Sequence, residues 1–199
     1  MIARTIVGRG SLVLVVLMGL MGLAGCLPVP LGDPAKSKAD SRYLGVWEWR
    51  DGRVHRAVIR PWDERTFVVD VLTGELLDDG ATRPRERDVY KAWLTDIKGA
   101  TFMTLQPIDV IGSVNGDSRA SYYIVAKVAL SGTTLTATTL DPEYKDLKNC
   151  KTREELEKIV TANIDDPKLF TGAPQVITHW GVEQMQGLEK LQQTFHDWK

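Results

Sequence analysis

The chain has 199 residues with 25 basic against 26 acidic side chains, a net charge of −1 at neutral pH. Nothing in that balance recruits nucleic acid, which calls for a clustered positive field. The length suits one domain whose core needs no disulfide or metal staples.

Arg4 and Arg9 form a short positive region ahead of residues 11–24, which are all apolar or small. This is the pattern of a secretory signal peptide, too short and too Gly-rich for a permanent span of about 20 residues. The run ends in Leu23, Ala24, Gly25 and Cys26. Small residues let an extended backbone enter a peptidase, and the cysteine after them offers a thiol. These four residues resemble the lipobox of bacterial lipoproteins. The resemblance implies cleavage between Gly25 and Cys26, a diacylglyceryl group on the Cys26 thiol and acylation of the new amine. One acyl chain anchors reversibly and two anchor stably. The residue after the cysteine is Leu27 rather than Asp, which in this family implies the outer membrane, with the protein facing the periplasm.

The expected organisation is a cleaved signal over 1–25, a lipidated cysteine and flexible tether over 26–42, and a single domain over 43–199. Loss of Arg4 and Arg9 with the signal takes the net charge to −3. Cys150 is then the only cysteine left for other chemistry, so no intramolecular disulfide forms. It is either a buried structural thiol or a reactive, dimer-forming one. In the tether, Pro28, Pro30 and Pro34 favour extended backbone and residues 36–41 lack apolar periodicity. Sixteen residues at about 3.3 Å each would hold the domain up to ~50 Å from a bilayer.

From Tyr43 onward the pattern is that of antiparallel strands and tight turns. Residues 44–50 and 53–60 flank Asp51-Gly52, which signals a hairpin of type I′. Residues 65–72 make a third strand, residues 75–87 a polar connection and residues 88–97 a fourth strand. On that strand Val89, Lys91, Trp93, Thr95 and Ile97 share one face, and Tyr90, Ala92 and Leu94 the other. Lys98-Gly99 turns into a fifth strand over 101–105, ended by Pro107. A long loop leads to a sixth strand over 119–130, and Ser131-Gly132 to a seventh over 133–140.

The periodicity then changes. Thr152 and Glu155 form a capping box, followed by Leu156, Ile159, Val160 and Ile164 at helical spacing, so a helix of about three turns is expected. Residues 175–180 read as an eighth strand. Val182, Met185, Leu188, Leu191, Phe195 and Trp198 then mark a C-terminal amphipathic helix. The fold class is all-β, an antiparallel meander barrel of about eight strands with a helix before the last strand and another at the C-terminus. An open β-sandwich is the alternative.

Gly45-Val46-Trp47, opening the first strand, is similar to the Gly-x-Trp of lipocalins and other calycins, where the Trp packs across the barrel base. The C-terminal helix is also calycin-like. The chain departs from the family in lacking a Thr-Asp-Tyr between middle strands and an Arg in the last strand to stack on the Trp. The resemblance therefore implies architecture and no particular ligand.

Residues for chemistry are sparse. The sequence holds no nucleophile elbow, His-Glu-x-x-His, Cys-x-x-Cys or phosphate-binding loop, so no catalytic set, metal site or cofactor is expected. His55, His179 and His196 lie far apart, and the first two meet only if the first and last strands pair. Arg83, Arg85 and Arg87 form the densest basic cluster, suited to anionic headgroups but interspersed with Asp78, Asp79, Glu86 and Asp88. Trp47, Trp49, Tyr90, Trp93 and Tyr122 are the candidate ligand-binding residues. They would line a mostly apolar cavity larger than ~300 Å³. The expected function is that of a non-enzymatic, membrane-anchored envelope lipoprotein binding a small hydrophobic ligand in its barrel. An envelope protein-interaction or assembly module is the alternative, and hydrolysis through Cys150 or a His–carboxylate pair ranks third.

Overall fold

The computed structural model describes residues 26–77, 82–108 and 122–180. Its strands are β1 (Cys26–Leu27), β2 (Gly45–Arg50), β3 (Val54–Pro61), β4 (Phe67–Leu76), β5 (Thr82–Ile97), β6 (Ala100–Pro107), β7 (Tyr123–Ser131), β8 (Thr134–Leu140) and β9 (Phe170–His179). Helix α1 (Arg153–Asn163) lies between β8 and β9. Strands β2 to β9 pair antiparallel with their neighbours in chain order. The sheet closes where Trp47 and Glu48 of β2 pair with His179 and Thr178 of β9. That closure makes an eight-stranded antiparallel barrel, compatible with a calycin-like fold, and removes the open-sandwich alternative. The expected signal peptide and C-terminal helix lie outside the described residues.

Turn chemistry differs from the sequence reading at two places. Residues 51–53 make a three-residue loop with Arg50 opposite Val54, and only Gly52 there has a positive φ, +96°. The two-residue turn with positive φ at both positions is Lys98-Gly99, at +49° and +80°, the signature of type I′. The polar connection expected over 75–87 is largely strand. Leu76 pairs with Thr82 and Glu75 with Arg83, and a bulge follows Thr73. This ribbon is polar on both faces because most of its residues are exposed. Charge pairs Arg85–Glu75 (2.6 Å) and Arg53–Glu86 (3.5 Å) take the place of apolar contacts.

Apolar residues form two clusters, one on each side of the barrel wall. The inner cluster includes Tyr43, Trp47, Ile59, Phe67, Val69, Ala92, Met103, Val128, Leu135 and Ile177. The outer cluster joins Leu27, Leu31, Ile97, Phe102 and Val125 to Leu156, Val160, Ile164 and Leu169. Helix α1 covers part of the outer wall with Leu156 and Val160, both fully buried. Its start is held by the expected capping box, in which Glu155 N donates to Thr152 Oγ1 and Thr152 N donates to Glu155 Oε2.

The other cover is the segment read from sequence as a flexible tether. Leu27 and Leu31 are both 0% exposed. The Leu31 carbonyl accepts hydrogen bonds from Trp93 Nε1 and Thr104 Oγ1, each at 2.9 Å. Residues 27–44 are therefore a strap bound to the barrel, and the ~50 Å reach expected of them is withdrawn. Gly32 crosses so close to β5 that an added Cβ would lie 1.8 Å from Thr95 Oγ1, and its φ is +71°. The strap ends in a 3₁₀ turn, Ser41–Tyr43, which delivers Tyr43 into the inner cluster.

Candidate functional site: the open end of the barrel

Alternation along β2 points Trp47 and Trp49 to the interior, one toward each end. At the base, Trp47 is 1% exposed and donates from Nε1 to the Tyr43 carbonyl at 2.8 Å. The Tyr43 and Phe67 rings meet at 6.4 Å, and Phe67 is fully buried. Three aromatic residues thus pack together at this end, beside the partly buried Leu44, Leu94 and Leu130. The ring of His179 meets Trp47 edge-on at 4.7 Å.

Gly45 permits that contact. A Cβ on it would lie 2.3 Å from His179 Nε2, and its φ of +123° disfavours any side chain. Gly45→Ala is expected to cost about 1–3 kcal/mol by displacing His179 and straining the backbone. Denaturant unfolding checks this, and unchanged stability would contradict the packing described here.

At the opposite end Trp49, Val71, Tyr90 and Leu105 face the inner cluster and are each only partly buried. Trp49 stacks flat on His55 at 4.8 Å and an interplanar angle of 6°. His55, 8% exposed, has Nδ1 3.0 Å from Thr73 Oγ1 and Nε2 2.7 Å from Asp51 Oδ1. With Nε2 protonated, the neutral ring donates to the carboxylate and accepts from the hydroxyl, so both nitrogens are satisfied. Partial burial pushes the Asp51 carboxyl up, but His55 and Arg53 together outweigh it and hold the group below its usual range. Thr73 is 5% exposed. The Thr–His–Asp line therefore fixes the wall of the barrel at this end and keeps the Thr73 hydroxyl buried.

The sequence-derived site residues divide between the two sides of the wall. Trp47, Trp49 and Tyr90 lie on the inner side. Trp93 does not: it faces outward, 1% exposed, under the strap. Its expected place in a barrel-lining set is corrected accordingly. Both faces of β5 are buried here, so alternation alone does not distinguish them. Tyr122, 37% exposed, precedes β7 at the rim. Burial holds the Tyr90 hydroxyl protonated well above its usual range, and Asp88, Tyr122 and Cys26 add to that effect. Tyr90, Tyr122 and Cys26 thus share the open end. Leu23, Ala24 and Gly25 lie outside the described residues.

Cys26 belongs to this end by strand register. It pairs with Ile124, and Leu27 with Tyr123, where β7 begins. Leu27 is packed in the outer cluster, so the Cys26 side chain is directed to the inner side. Burial raises the pKa of its thiol. Cys150 has different surroundings: it is 6% exposed in the outer cluster, and burial pushes its thiol up as well.

His55 and His179 do face the interior from the strands flanking β2, as closure of the barrel requires, but each is committed to its own tryptophan. Among the described residues no group of three His, Cys, Asp or Glu side chains is placed to hold a metal ion. His179, His55 and the strap were the features the sequence reading did not place, and the only signal for His179 was its position opposite Gly45-Val46-Trp47 once the first and last strands pair. A recess of about 940 Å³ also lies outside the barrel, between the strap, the β5–β6 turn and the start of α1. Its charged lining is partly self-paired through Arg42–Asp40 and Arg153–Asp33, unlike the apolar cavity expected of a hydrophobic ligand. Comparison with protein-family models, with curated proteins and with solved structures finds no match to this chain.

Proposed function

We propose that this chain is a lipid-anchored protein of the bacterial cell envelope whose barrel takes a small apolar molecule through its open end. The observation that carries the reading is the set of large side chains, Trp49, Val71, Tyr90 and Leu105, that face the interior near the Cys26 end and are only partly buried. Tyr43, Trp47 and Phe67 pack together at the other end, beside the partly buried Leu44, Leu94 and Leu130. Aromatic and aliphatic side chains around a few polar groups are the usual lining of a small-molecule site. Here the polar groups are His55, Thr73 and the Tyr90 hydroxyl. The anchor is Cys26, preceded by Leu23-Ala24-Gly25, and the outer membrane facing the periplasm is the proposed location. Among the described residues the large apolar side chains more than half exposed, Trp62, Leu76 and Val176, sit on separate elements, and scattered exposure of this kind offers no contiguous docking patch there.

The test is native mass spectrometry of the Cys26→Ser chain, with titration by an environment-sensitive apolar fluorophore. A retained small molecule or saturable fluorophore binding is expected, weakened about tenfold by Trp49→Ala through loss of the ring that stacks on His55. An empty chain that binds no fluorophore would refute the ligand reading.

A further inference from the structure

The strap leaves the anchor no slack. Cys26 is hydrogen-bonded into the barrel through β1, and Leu27 and Leu31 are fully buried just after it. A chain attached to a bilayer at Cys26 is held at the length of a thioether-linked glyceryl group, with no spacer. The orientation of the barrel then follows from where β1 sits. It pairs with the first two residues of β7, in the place β8 vacates after Thr139 pairs with Ala126. The same end carries the finish of β4, the start of β5 and the partly buried Trp49 and Tyr90. Register further places the Cys26 sulfur on the inner side of that rim.

Two other features share this end. Leu76 is 51% exposed at the tip of β4, and Tyr122 is 37% exposed just before β7. Arg83 and Arg85 are exposed on the adjacent strand of the ribbon. Exposed apolar side chains beside arginines, of which Arg85 is paired with Glu75, fit the boundary between headgroups and acyl chains. The opposite end presents the β3–β4 turn, with Trp62 54% exposed.

We infer that the open end of the barrel is seated on the phospholipid bilayer, with the acyl chains of Cys26 leaving from its inner rim and Leu76 and Tyr122 at headgroup depth. This rests on the lipidated anchor and apolar-ligand site proposed above, and deepens them. The ligand is then a membrane lipid or another bilayer-soluble molecule, which passes between bilayer and barrel without crossing water. The partner surface is the bilayer itself.

Hydroxyl-radical footprinting tests this on the full chain, processed in a bacterial host and reconstituted in phosphatidylcholine–phosphatidylglycerol nanodiscs. The reference is the Cys26→Ala chain in buffer. Oxidation of Leu76 and Tyr122 is expected to fall about threefold or more in the discs, as for side chains taken into the interface, while Trp62 is oxidised equally in both. Equal rates at all three positions, or protection of Trp62 instead, overturn the orientation. The mass of the N-terminal peptide separates the two failures. An acylated peptide with unprotected Leu76 and Tyr122 defeats the seating alone, whereas an unacylated one defeats the anchor and the seating together.

Discussion

Leu31→Ala is expected to lower the stability of the barrel by about 2–5 kcal/mol, the cost of truncating a fully buried leucine. The side chain is 0% exposed within the outer cluster. Its carbonyl also receives the indole N–H of Trp93 and the hydroxyl of Thr104, so a shift of the strap would leave buried donors unsatisfied. Urea unfolding of the Cys26→Ser chain measures the effect, with Lys36→Ala as the control. Lys36 is exposed in the same segment and its loss is expected to matter by less than about 0.5 kcal/mol. If residues 27–42 were a free tether, neither substitution would register. Equal, negligible effects would therefore refute the strap.

The second large effect is expected at Cys26. Cys26→Ser should move the chain from the membrane pellet to the soluble fraction and abolish incorporation of a palmitate analogue, with the circular dichroism spectrum unchanged. The magnitude follows from chain number: a single acyl chain binds reversibly and more than one binds stably, so removing all of them removes the anchor altogether. The fold should persist because the side chain is only half buried at the rim, and β1 is held by backbone pairing with β7. Retention of the serine variant in the membrane, or loss of its β-sheet spectrum, would each contradict this account. The first outcome removes the lipid anchor and the second gives Cys26 a structural role.

The two experiments bear on different links of the same argument. The strap is a matter of packing and stability, and it decides how far the barrel stands from its anchor. The thiol decides whether there is an anchor. If both behave as expected, the lipid attachment and the end of the barrel carrying Trp49 and Tyr90 lie within one rim.

What was legible in the sequence is what local periodicity and turn chemistry encode. Alternation over 44–50, 53–60 and 65–72, the capping box at Thr152 and the glycine turns fixed most strands and the helix. A run of short neighbouring strands has few ways to remove its edges other than closing. The ribbon over 75–87 escaped because its strands run largely exposed, so polar residues fill positions where alternation would otherwise show. The open-end site was half legible. Trp47, Trp49 and Tyr90 face inward, but Trp93 does not, since the wall it belongs to is apolar on both faces.

Sequence by itself determined the antiparallel meander, the helix start and the lipobox-like run at Leu23-Ala24-Gly25-Cys26. These depend on neighbours within a few positions along the chain. Tertiary structure alone decided that residues 27–44 form a strap, that His179 meets Trp47, and that Cys26 sits at the open rim. Leu27 and Leu31 are isolated apolar residues among prolines and charges, without a period to reveal a buried face. Only the outer wall of β5 to β7, far away in sequence, supplies the surface that buries them.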